Sequence, residues 1–344
     1  MSKFDVIVVT GATGFIAKHV IAMLLNAGHQ VRGTLRNVSK GEGVLETLNS
    51  MVGHDLVQNF SLFECDLLSD DGWGDAMDGA DAVMHIATYV PAREPKNAQT
   101  VIRPALEGTE RVMGFAASAG VKRIVMTSSI AAIGYGHKVT GKHVNHDGDD
   151  WTDLEGLGNS WAYAAAKTLS EKRAWELANE MGIDLTCVCP SMVFGPAIDT
   201  DTSASLKVIL RLMNGQVPAL PPGGMSVVDV RDVAQIHVDA LSNQTSFGRR
   251  IISSAHYITF EQVSEILRVA YPHKNFPSYT APVWLMKFLG KFERTIKQIA
   301  ADLDSVRYYD GGPGEQLMAR DYRDGQEAVL SAAKSLIKLG MVKP

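Results

Sequence analysis

The sequence predicts an α/β fold in which a doubly wound parallel sheet is joined to a smaller, discontinuous C-terminal lobe. Short β-branched runs alternate with longer segments of helical periodicity over the first 190 residues. This alternation is typical of a parallel sheet with helices on both faces. A glycine-containing turn follows the first predicted strand, and prolines and glycines interrupt the alternation after Pro190.

The individual elements follow from the spacing of apolar residues, which has a period of two in a strand and of 3.6 in a helix. Predicted strands lie near residues 5–9, 30–35, 60–65, 82–87, 123–128 and 184–189. Predicted helices lie near residues 15–26, 69–78, 97–118, 161–181 and 203–214.

The first turn of the chain is the predicted site for a pyrophosphate. Residues 10–17 follow a strand and precede a helix, which is the context of a Rossmann-type dinucleotide site. Gly11 allows the tight turn, Gly14 lets the backbone approach the phosphates, and the positive end of the helix attracts them. The predicted contacts are Thr10, Gly11, Thr13, Gly14, Phe15 and Ile16.

Basic residues after the second strand predict NADP(H) as the cofactor. A site for NAD normally carries an Asp or Glu about 20 residues after the glycine turn, but there is no acidic residue from Val6 through Gly41. Arg32, Arg36 and Lys40 follow one another in that stretch. A guanidinium forms charge-assisted hydrogen bonds with a 2′-phosphate, so we expect Arg36 to be the leading contact, with Lys40 beside it.

A tyrosine and a lysine share one face of a predicted helix. Tyr163 and Lys167 are four residues apart in a segment of strong helix formers. A nearby ammonium favours the phenolate and so lowers the pKa of a phenol from its usual value of about 10. We therefore predict that Tyr163 is a general acid and that Lys167 lowers its pKa. Taken alone, the spacing also fits an ordinary surface pair.

Composition narrows the class of protein and of partner. Of the 344 residues, 46% are hydrophobic, and the net charge is −5. This charge gives no reason to expect nucleic acid or an anionic membrane as a partner. The sequence shows no charged-then-apolar leader and no apolar run of about 18 residues, so we expect a cytoplasmic protein.

The cysteines and a histidine-containing loop predict no metal site. Cys65, Cys187 and Cys189 lie in or at the ends of predicted strands, where buried free thiols are expected. Residues 143–150 contain imidazoles and carboxylates, but their spacing fits neither a zinc pattern nor an EF-hand.

Taken in order, the motifs resemble the extended short-chain dehydrogenase/reductase family. Four features occur in that family's order: residues 10–17, Asp66-Leu67, residues 127–129, and Tyr163 with Lys167. Residues 31–36 and 228–234 are similar to the branch that holds dihydroflavonol 4-reductases and NADPH-dependent aldehyde and ketone reductases. The resemblance covers about the first 270 residues, and it implies a Rossmann-type fold, NADP(H) and hydride transfer.

The resemblance also assigns further site residues. In the family a serine after the fifth strand polarises the substrate carbonyl, and the matching position is Ser129, with Ser128 as second choice. A turn or cap hydroxyl is the alternative reading of Ser129. The resemblance implies that Asp66 and Leu67 contact the adenine and that Ala87 and Thr88 contact the middle of the cofactor. It also implies that Tyr163 and Lys167 lie near the nicotinamide ribose and that Pro190 and Val193 contact the nicotinamide carboxamide.

Domain boundaries follow from the loss of alternation after Pro190. Residues 1–190 are predicted to bind NADP, with segments near 226–254 returning to the sheet, and residues 191–225 and 255–344 are predicted to form the substrate lobe. The apolar residues of this lobe suit a small apolar or aromatic aldehyde or ketone. Residues 284–314 match no pattern, and a monomer and a homodimer are both open.

The predicted function is reduction of aldehydes and ketones by NADPH. An epimerase or isomerase of the same family would use the same tyrosine and lysine but retain its cofactor through turnover. A non-catalytic NADP-sensing regulator is the alternative from another class, and proteins of that kind commonly lack the catalytic pair. A dehydratase is disfavoured, because it would carry Thr-Asp-Glu at residues 127–129.

Overall fold

A parallel sheet organises the protein. The computed structural model describes residues 4–90, 94–137, 143–201, 203–293, 296, 303 and 305–343. The strands of this part of the chain are β1 Val6–Val9, β2 Gln30–Leu35, β3 Phe60–Glu64, β4 Ala82–His85, β5 Arg123–Thr127, β6 His143–His146, β7 Asp184–Pro190, β8 Met192–Phe194, β9 Gly224–Asp229, β10 Arg249–Ser253, β11 His256–Thr259 and β12 Val306–Tyr309. Seven of them form the main sheet in the order β10-β7-β5-β4-β1-β2-β3.

Helices cover both faces of this sheet. The α-helices of the described residues are α1 Phe15–Asn26, α2 Gly41–Val52, α3 His54–Val57, α4 Trp73–Met77, α5 Gln99–Ser118, α6 Leu154–Leu157, α7 Ala162–Met181, α8 Leu206–Met213, α9 Val230–Ser242, α10 Phe260–Ala270, α11 Val283–Leu289, α12 Gly312–Met318 and α13 Gly325–Lys338. Helices α1, α2 and α9 pack on one face, and α4, α5 and α7 pack on the other. None of these helices has the length and apolar character needed to cross a membrane.

The predicted doubly wound sheet is confirmed. All neighbouring strands of the main sheet run parallel. From β1 the chain builds outward through β2 and β3, and it then crosses to the other side of β1 to form β4. Ligands of such sheets bind beyond the carboxyl ends of the strands at this switch point. The carboxyl ends of β1 and β4 therefore mark the centre of the candidate site.

The predicted helix near 69–78 is shorter in the structure, where α4 begins at Trp73. Gly72 precedes it in the left-handed conformation, with φ at 77°, and an added Cβ there would lie 2.1 Å from the carbonyl oxygen of Glu64. The close passage of the backbone past β3 therefore requires glycine at this position, and it delays the start of the helix.

The segment near 226–254 returns to the main sheet only in part. Strand β10 pairs with β7 as predicted, but β9 lies in a second sheet, parallel to β8 and antiparallel to β11. The prediction was wrong for β9 because β10 already occupies the edge of β7. Helix α9 still packs on the main sheet, where Ala234 and Leu241 contact the same core as α1.

The apolar core of the lobe is continuous with the core of the sheet. Phe15, Val125 and Val188 pack in one cluster with buried residues of β8, α8 and α13. This continuity holds the lobe beside the carboxyl ends of β5 and β7.

The segment 284–314, which matched no sequence pattern, is described in part. Residues 294, 295, 297–302 and 304 lie outside the described residues. Strand β12 pairs in parallel with β6, and helix α11 has no buried residue.

Candidate active site

The three predicted catalytic side chains meet at the carboxyl end of β5. Helix α7 begins at Ala162, whose N–H donates to the carboxylate of Glu94 at 2.7 Å. Tyr163 therefore lies in its first turn and Lys167 one turn later on the same face. The Lys167 Nζ donates to the carbonyl oxygen of Thr127, the last residue of β5, at 2.8 Å. Ser129 follows this strand and lies close enough to the Tyr163 phenol to affect its pKa.

The neighbouring serines point in opposite directions. The Ser129 Oγ accepts a hydrogen bond from the N–H of Ala131 at 3.1 Å and caps a 3₁₀ turn. Ser128 is buried, and its hydroxyl donates to the carboxylate of Glu171. Ser129, and not Ser128, therefore faces the phenol, since successive side chains of an extended segment alternate in direction.

Burial shifts the pKa values of Tyr163 and Lys167. Removal from water raises the pKa of the half-buried Tyr163 phenol above its usual value, and the nearby Ser129 side chain opposes that shift. Burial also lowers the pKa of Lys167 to about 8, while Glu171 acts in the opposite direction. Both side chains are therefore mainly protonated at pH 7.

The predicted lowering of the Tyr163 pKa by Lys167 is not what this structure shows. The ammonium is directed to the Thr127 carbonyl, and the group that lowers the pKa of the phenol is Ser129. The sequence places tyrosine and lysine on one helix face, but it does not show that a strand carbonyl lies within reach of the lysine.

The glycine turn joins the ends of β1 and β4. Gly11 has φ at 72°, and an added Cβ would lie 3.0 Å from the Ala87 Cα. Gly14 precedes α1 in an extended conformation, and no side chain of the described residues caps the helix. The N-terminal N–H groups of α1 are therefore suited to a phosphate, because they carry the positive end of the helix dipole.

The other residues predicted at this turn differ in how far their side chains are exposed. Thr13 and Ile16 are half-buried. Thr10 is fully buried, and its hydroxyl accepts the N–H groups of Ile86 and Ala87 at 3.0 and 2.9 Å. Phe15 is buried in the core shared with the lobe. The side chains of Thr10 and Phe15 thus hold the turn in place, and only their backbones are left to contact a ligand.

Two unpaired cations lie after β2. The side chains of Arg36 and Lys40 are exposed, and neither forms a hydrogen bond or ion pair with the residues that the structure describes. Arg32 differs, since its guanidinium donates to the carbonyl oxygens of Ala76 at 3.2 Å and Asp78 at 2.6 Å. The side chains of Arg36 and Lys40 are thus available to bind a phosphate between β2 and α2, whereas the side chain of Arg32 is not.

The remaining predicted contacts lie along the same rim. The Asp66 carboxylate, beyond β3, accepts the N–H of Leu68 at 2.9 Å. Leu67 is half-buried and packs closely against Gly108 of α5. Thr88 is half-buried and follows β4. Pro190 ends β7, and Val193 is buried in β8.

The three cysteines are free and buried, as predicted. Burial raises the pKa of Cys65 to about 12 and raises that of Cys187 as well. In the described part of the chain, no three His, Cys, Asp or Glu side chains are grouped so that they could hold a metal ion.

Two charged residues beside Tyr163 and Lys167 were not predicted from the sequence. Glu171 follows Lys167 by one helical turn and is fully buried, and it forms an ion pair with Arg250 of β10 at 2.6 Å. The spacing from Tyr163 through Lys167 to Glu171 is visible in the sequence as a repeat of four. Arg250 carries no such signal, because it is 79 residues away in the chain.

Comparisons with known proteins agree with this geometry. A model of the NAD dependent epimerase/dehydratase family matches residues 7–252. Tetraketide alpha-pyrone reductase 2 of Arabidopsis thaliana is 35% identical over 274 residues, which cover 78% of this chain and 83% of that protein. Dihydroflavonol 4-reductase of the same plant is 32% identical over 298 residues, which cover 81% and 72%.

A solved structure extends the similarity to nearly the whole chain. The crystal structure of yeast methylglyoxal/isovaleraldehyde reductase complexed with NADPH matches with a TM-score of 0.79 and 25% identity, covering 97% of this chain and 99% of that one. Together with the family match and the ordered motifs, this shows that the chain belongs to the NAD dependent epimerase/dehydratase family, the extended short-chain dehydrogenases/reductases.

Proposed function

We propose that this protein is an NADPH-dependent reductase that converts small apolar or aromatic aldehydes and ketones to alcohols. The observation that carries the proposal is that Ser129, Tyr163 and Lys167 come together at the carboxyl end of β5. Residues 1–190 would hold the cofactor, and the lobe would hold the substrate. The reductases among its relatives support the assignment.

The residues present fit NADPH. The turn at Gly11 and Gly14 leaves the start of α1 without a side-chain cap, as a pyrophosphate requires. Arg36 and Lys40 would hold the 2′-phosphate, and no acidic residue from Val6 through Gly41 would repel it. When bound, the cofactor supplies the hydride.

The protein's own part in the reaction is to hold the carbonyl and deliver a proton. Ser129 and Tyr163 donate hydrogen bonds to the carbonyl oxygen, and they stabilise the negative charge that develops there. Tyr163 then gives up its proton. Its raised pKa keeps the phenol protonated at neutral pH, as a general acid must be. Lys167, whose Nζ also donates to the Thr127 carbonyl, would bind the ribose of the cofactor.

Aromatic side chains beside Tyr163 support an apolar substrate. The Trp161 and Tyr163 ring centroids are 6.0 Å apart, and those of Trp161 and Tyr135 are 4.7 Å apart in an edge-to-face arrangement. Many apolar residues of the lobe, such as Ile209 and Leu220, are instead buried in its core. We therefore propose that this aromatic group forms one wall of the substrate site, opposite the lobe.

The function is tested by following absorbance at the reduced-nicotinamide band. Purified protein is mixed with NADPH or NADH and a panel of aliphatic and aromatic aldehydes, ketones and β-keto esters. We expect stoichiometric oxidation of NADPH, faster than that of NADH. Tight binding of NADPH without its consumption by any member of the panel would contradict the reductase and favour an isomerase or a sensor.

Coenzyme preference is expected to depend on Arg36 and Lys40. In an Arg36→Ala/Lys40→Ala variant, kcat/KM for NADPH should fall about 10- to 10²-fold or more, because each hydrogen bond to a charged group contributes about 1.5–3 kcal/mol. The value for NADH should stay nearly unchanged, since NADH has no 2′-phosphate.

Arg32→Ala is the matched control for this prediction. It removes a guanidinium from β2, just before Arg36 in the chain, but one that is bonded to the carbonyls of Ala76 and Asp78. This variant should lose stability and keep the ratio of NADPH to NADH efficiency. Equal losses for both coenzymes in the Arg36→Ala/Lys40→Ala variant would disprove the assignment of the 2′-phosphate site.

A further inference from the structure

A buried ion pair lies directly behind the catalytic residues. Glu171, on α7, is completely buried, and the Arg250 side chain, on β10, is 7% exposed. The Arg250 Nε donates to the Glu171 Oε1 at 2.6 Å, and its Nη2 donates to Oε2 at 3.2 Å. Ser128 donates to Oε2, and the Trp175 indole N–H donates to Oε1 at 3.2 Å. The carboxylate is therefore held by three side chains, one from β10, one from the segment after β5 and one from α7 itself.

The guanidinium of Arg250 joins further segments around the site. It donates to the carbonyl oxygens of Gly148 at 3.0 Å, of Asp150, and of Ala132 at 3.3 Å. It also lies over the Trp151 ring, 3.8 Å from the centroid. Ala132 belongs to the turn that Ser129 caps. One side chain thus fixes that turn relative to α7.

We propose that Glu171 and Arg250 are positioning residues for the proposed reductase: they hold the Ser129 turn against the helix of Tyr163, and they place a fixed negative charge behind Lys167. The inference rests on the proposed function. Neither side chain reaches the substrate in this proposal. A buried ion pair is costly to desolvate, so its place beside a lysine that must stay charged suggests a role beyond stability.

The charges around Lys167 show why Glu171 matters. The titratable groups around the lysine are Tyr163 and Glu171 on α7, Cys187 and Cys189 on β7, His85 on β4 and Arg250 on β10. Burial raises the pKa of both thiols and lowers that of His85 to about 3, so these groups are neutral near pH 7. Within this set, Glu171 is the anion that favours the Lys167 ammonium.

The charge of Glu171 determines the direction of the expected pH effect. Burial lowers the pKa of Lys167 to about 8, and Glu171 is the first of the influences that raise it. Without the Glu171 charge, Lys167 loses its proton at a lower pH. Steps that need the ammonium, which are binding of NADPH at the ribose and reduction itself, should then fail at a lower pH than in the wild type.

The test compares wild type with Glu171→Gln between pH 6 and 10. We expect the alkaline limb of kcat/KM, near pH 8 in the wild type, to move down by at least about one unit, which is the lower end of the effect of a neighbouring opposite charge. The pH dependence of NADPH affinity, measured by protein fluorescence without substrate, should move in the same direction.

Two further variants keep the test decisive. Glu171→Gln/Arg250→Met removes both charges, so it leaves no unpaired buried ion if the single variant folds poorly. It should move the alkaline limb in the same direction by a smaller amount, because loss of the Arg250 cation partly offsets loss of the Glu171 anion. Asp232→Asn is the matched control, because Asp232 is also a fully buried carboxylate paired with arginines, Arg320 and Arg323, but it lies on α9. It should lower the Tm and leave the alkaline limb in place.

The outcomes separate this inference from the proposed function. If Glu171→Gln lowered the Tm as much as Asp232→Asn does and left both pH profiles unchanged, Glu171 would have a structural role only, and the inference would be overturned. A wild-type protein that reduces no carbonyl would instead overturn the proposed function, and the NADPH-affinity profile would still decide whether Glu171 keeps Lys167 charged.

Discussion

Replacing Tyr163 with phenylalanine is expected to lower kcat about 10²–10³-fold, which is the usual loss for one preorganised donor to a developing oxyanion. The variant lacks the hydroxyl that lies near Ser129 and, in the proposed mechanism, delivers the proton. The ring stays, so its packing with Trp161 is preserved. NADPH affinity should change much less than kcat. Steady-state kinetics with the best aldehyde of the panel, together with an NADPH titration, measures both.

Tyr135→Phe is the control for this prediction. Tyr135 lies in the same small apolar cluster as Trp161 and Tyr163, so the variant removes a phenol hydroxyl from the same neighbourhood. We expect its kcat to stay within a few-fold of the wild type. A Tyr163→Phe protein that also turns over at near wild-type rate would rule out Tyr163 as the general acid.

Ser129→Ala is expected to cost a similar factor of about 10²–10³ in kcat, because the second donor to the carbonyl oxygen is lost. The variant also loses the cap on the turn after β5, where the Ser129 Oγ accepts the Ala131 N–H at 3.1 Å. Cap removal typically costs about 1 kcal/mol of stability, so the Tm should fall slightly. Kinetics and thermal unfolding on the same preparation separate the two effects.

A second capped turn provides the control for Ser129. Asn243 caps the 3₁₀ turn Gln244–Ser246, and its Oδ1 accepts the Thr245 N–H at 3.0 Å. Asn243→Ala should lower the Tm by a comparable amount and leave kcat intact, while Ser129→Thr, which keeps a hydroxyl, should recover much of the activity. If Ser129→Ala lowered kcat no further than Asn243→Ala, Ser129 would be only a cap.

The parts of the fold with local causes were predictable. The predicted helix near 15–26 matches α1, and the predicted strand near 30–35 matches β2. Helix α1 lies between Gly14 and Gly28, and Gly28 also precedes β2, so local signals mark these boundaries. The burial of the cysteines was also expected from their places in or next to predicted strands.

Other features depended on distant segments. Strand β9 contains a β-branched run like the central strands, yet it pairs with β8 and β11, because β10 takes the edge of β7. Thr10 reads as a ligand contact in the sequence, but its hydroxyl is taken by the backbone of Ile86 and Ala87. Both outcomes depend on contacts between segments far apart in the chain.

The sequence by itself determined the alternation of strands and helices, the glycine turn and the shared helix face of Tyr163 and Lys167, because each depends on residues within a few positions of one another. Only the tertiary structure decided which serine faces Tyr163, that Lys167 bonds the Thr127 carbonyl, and that Arg250 supports Glu171. The physical reason is that burial and long-range pairing set the direction and charge of a side chain, and neither is encoded by local spacing.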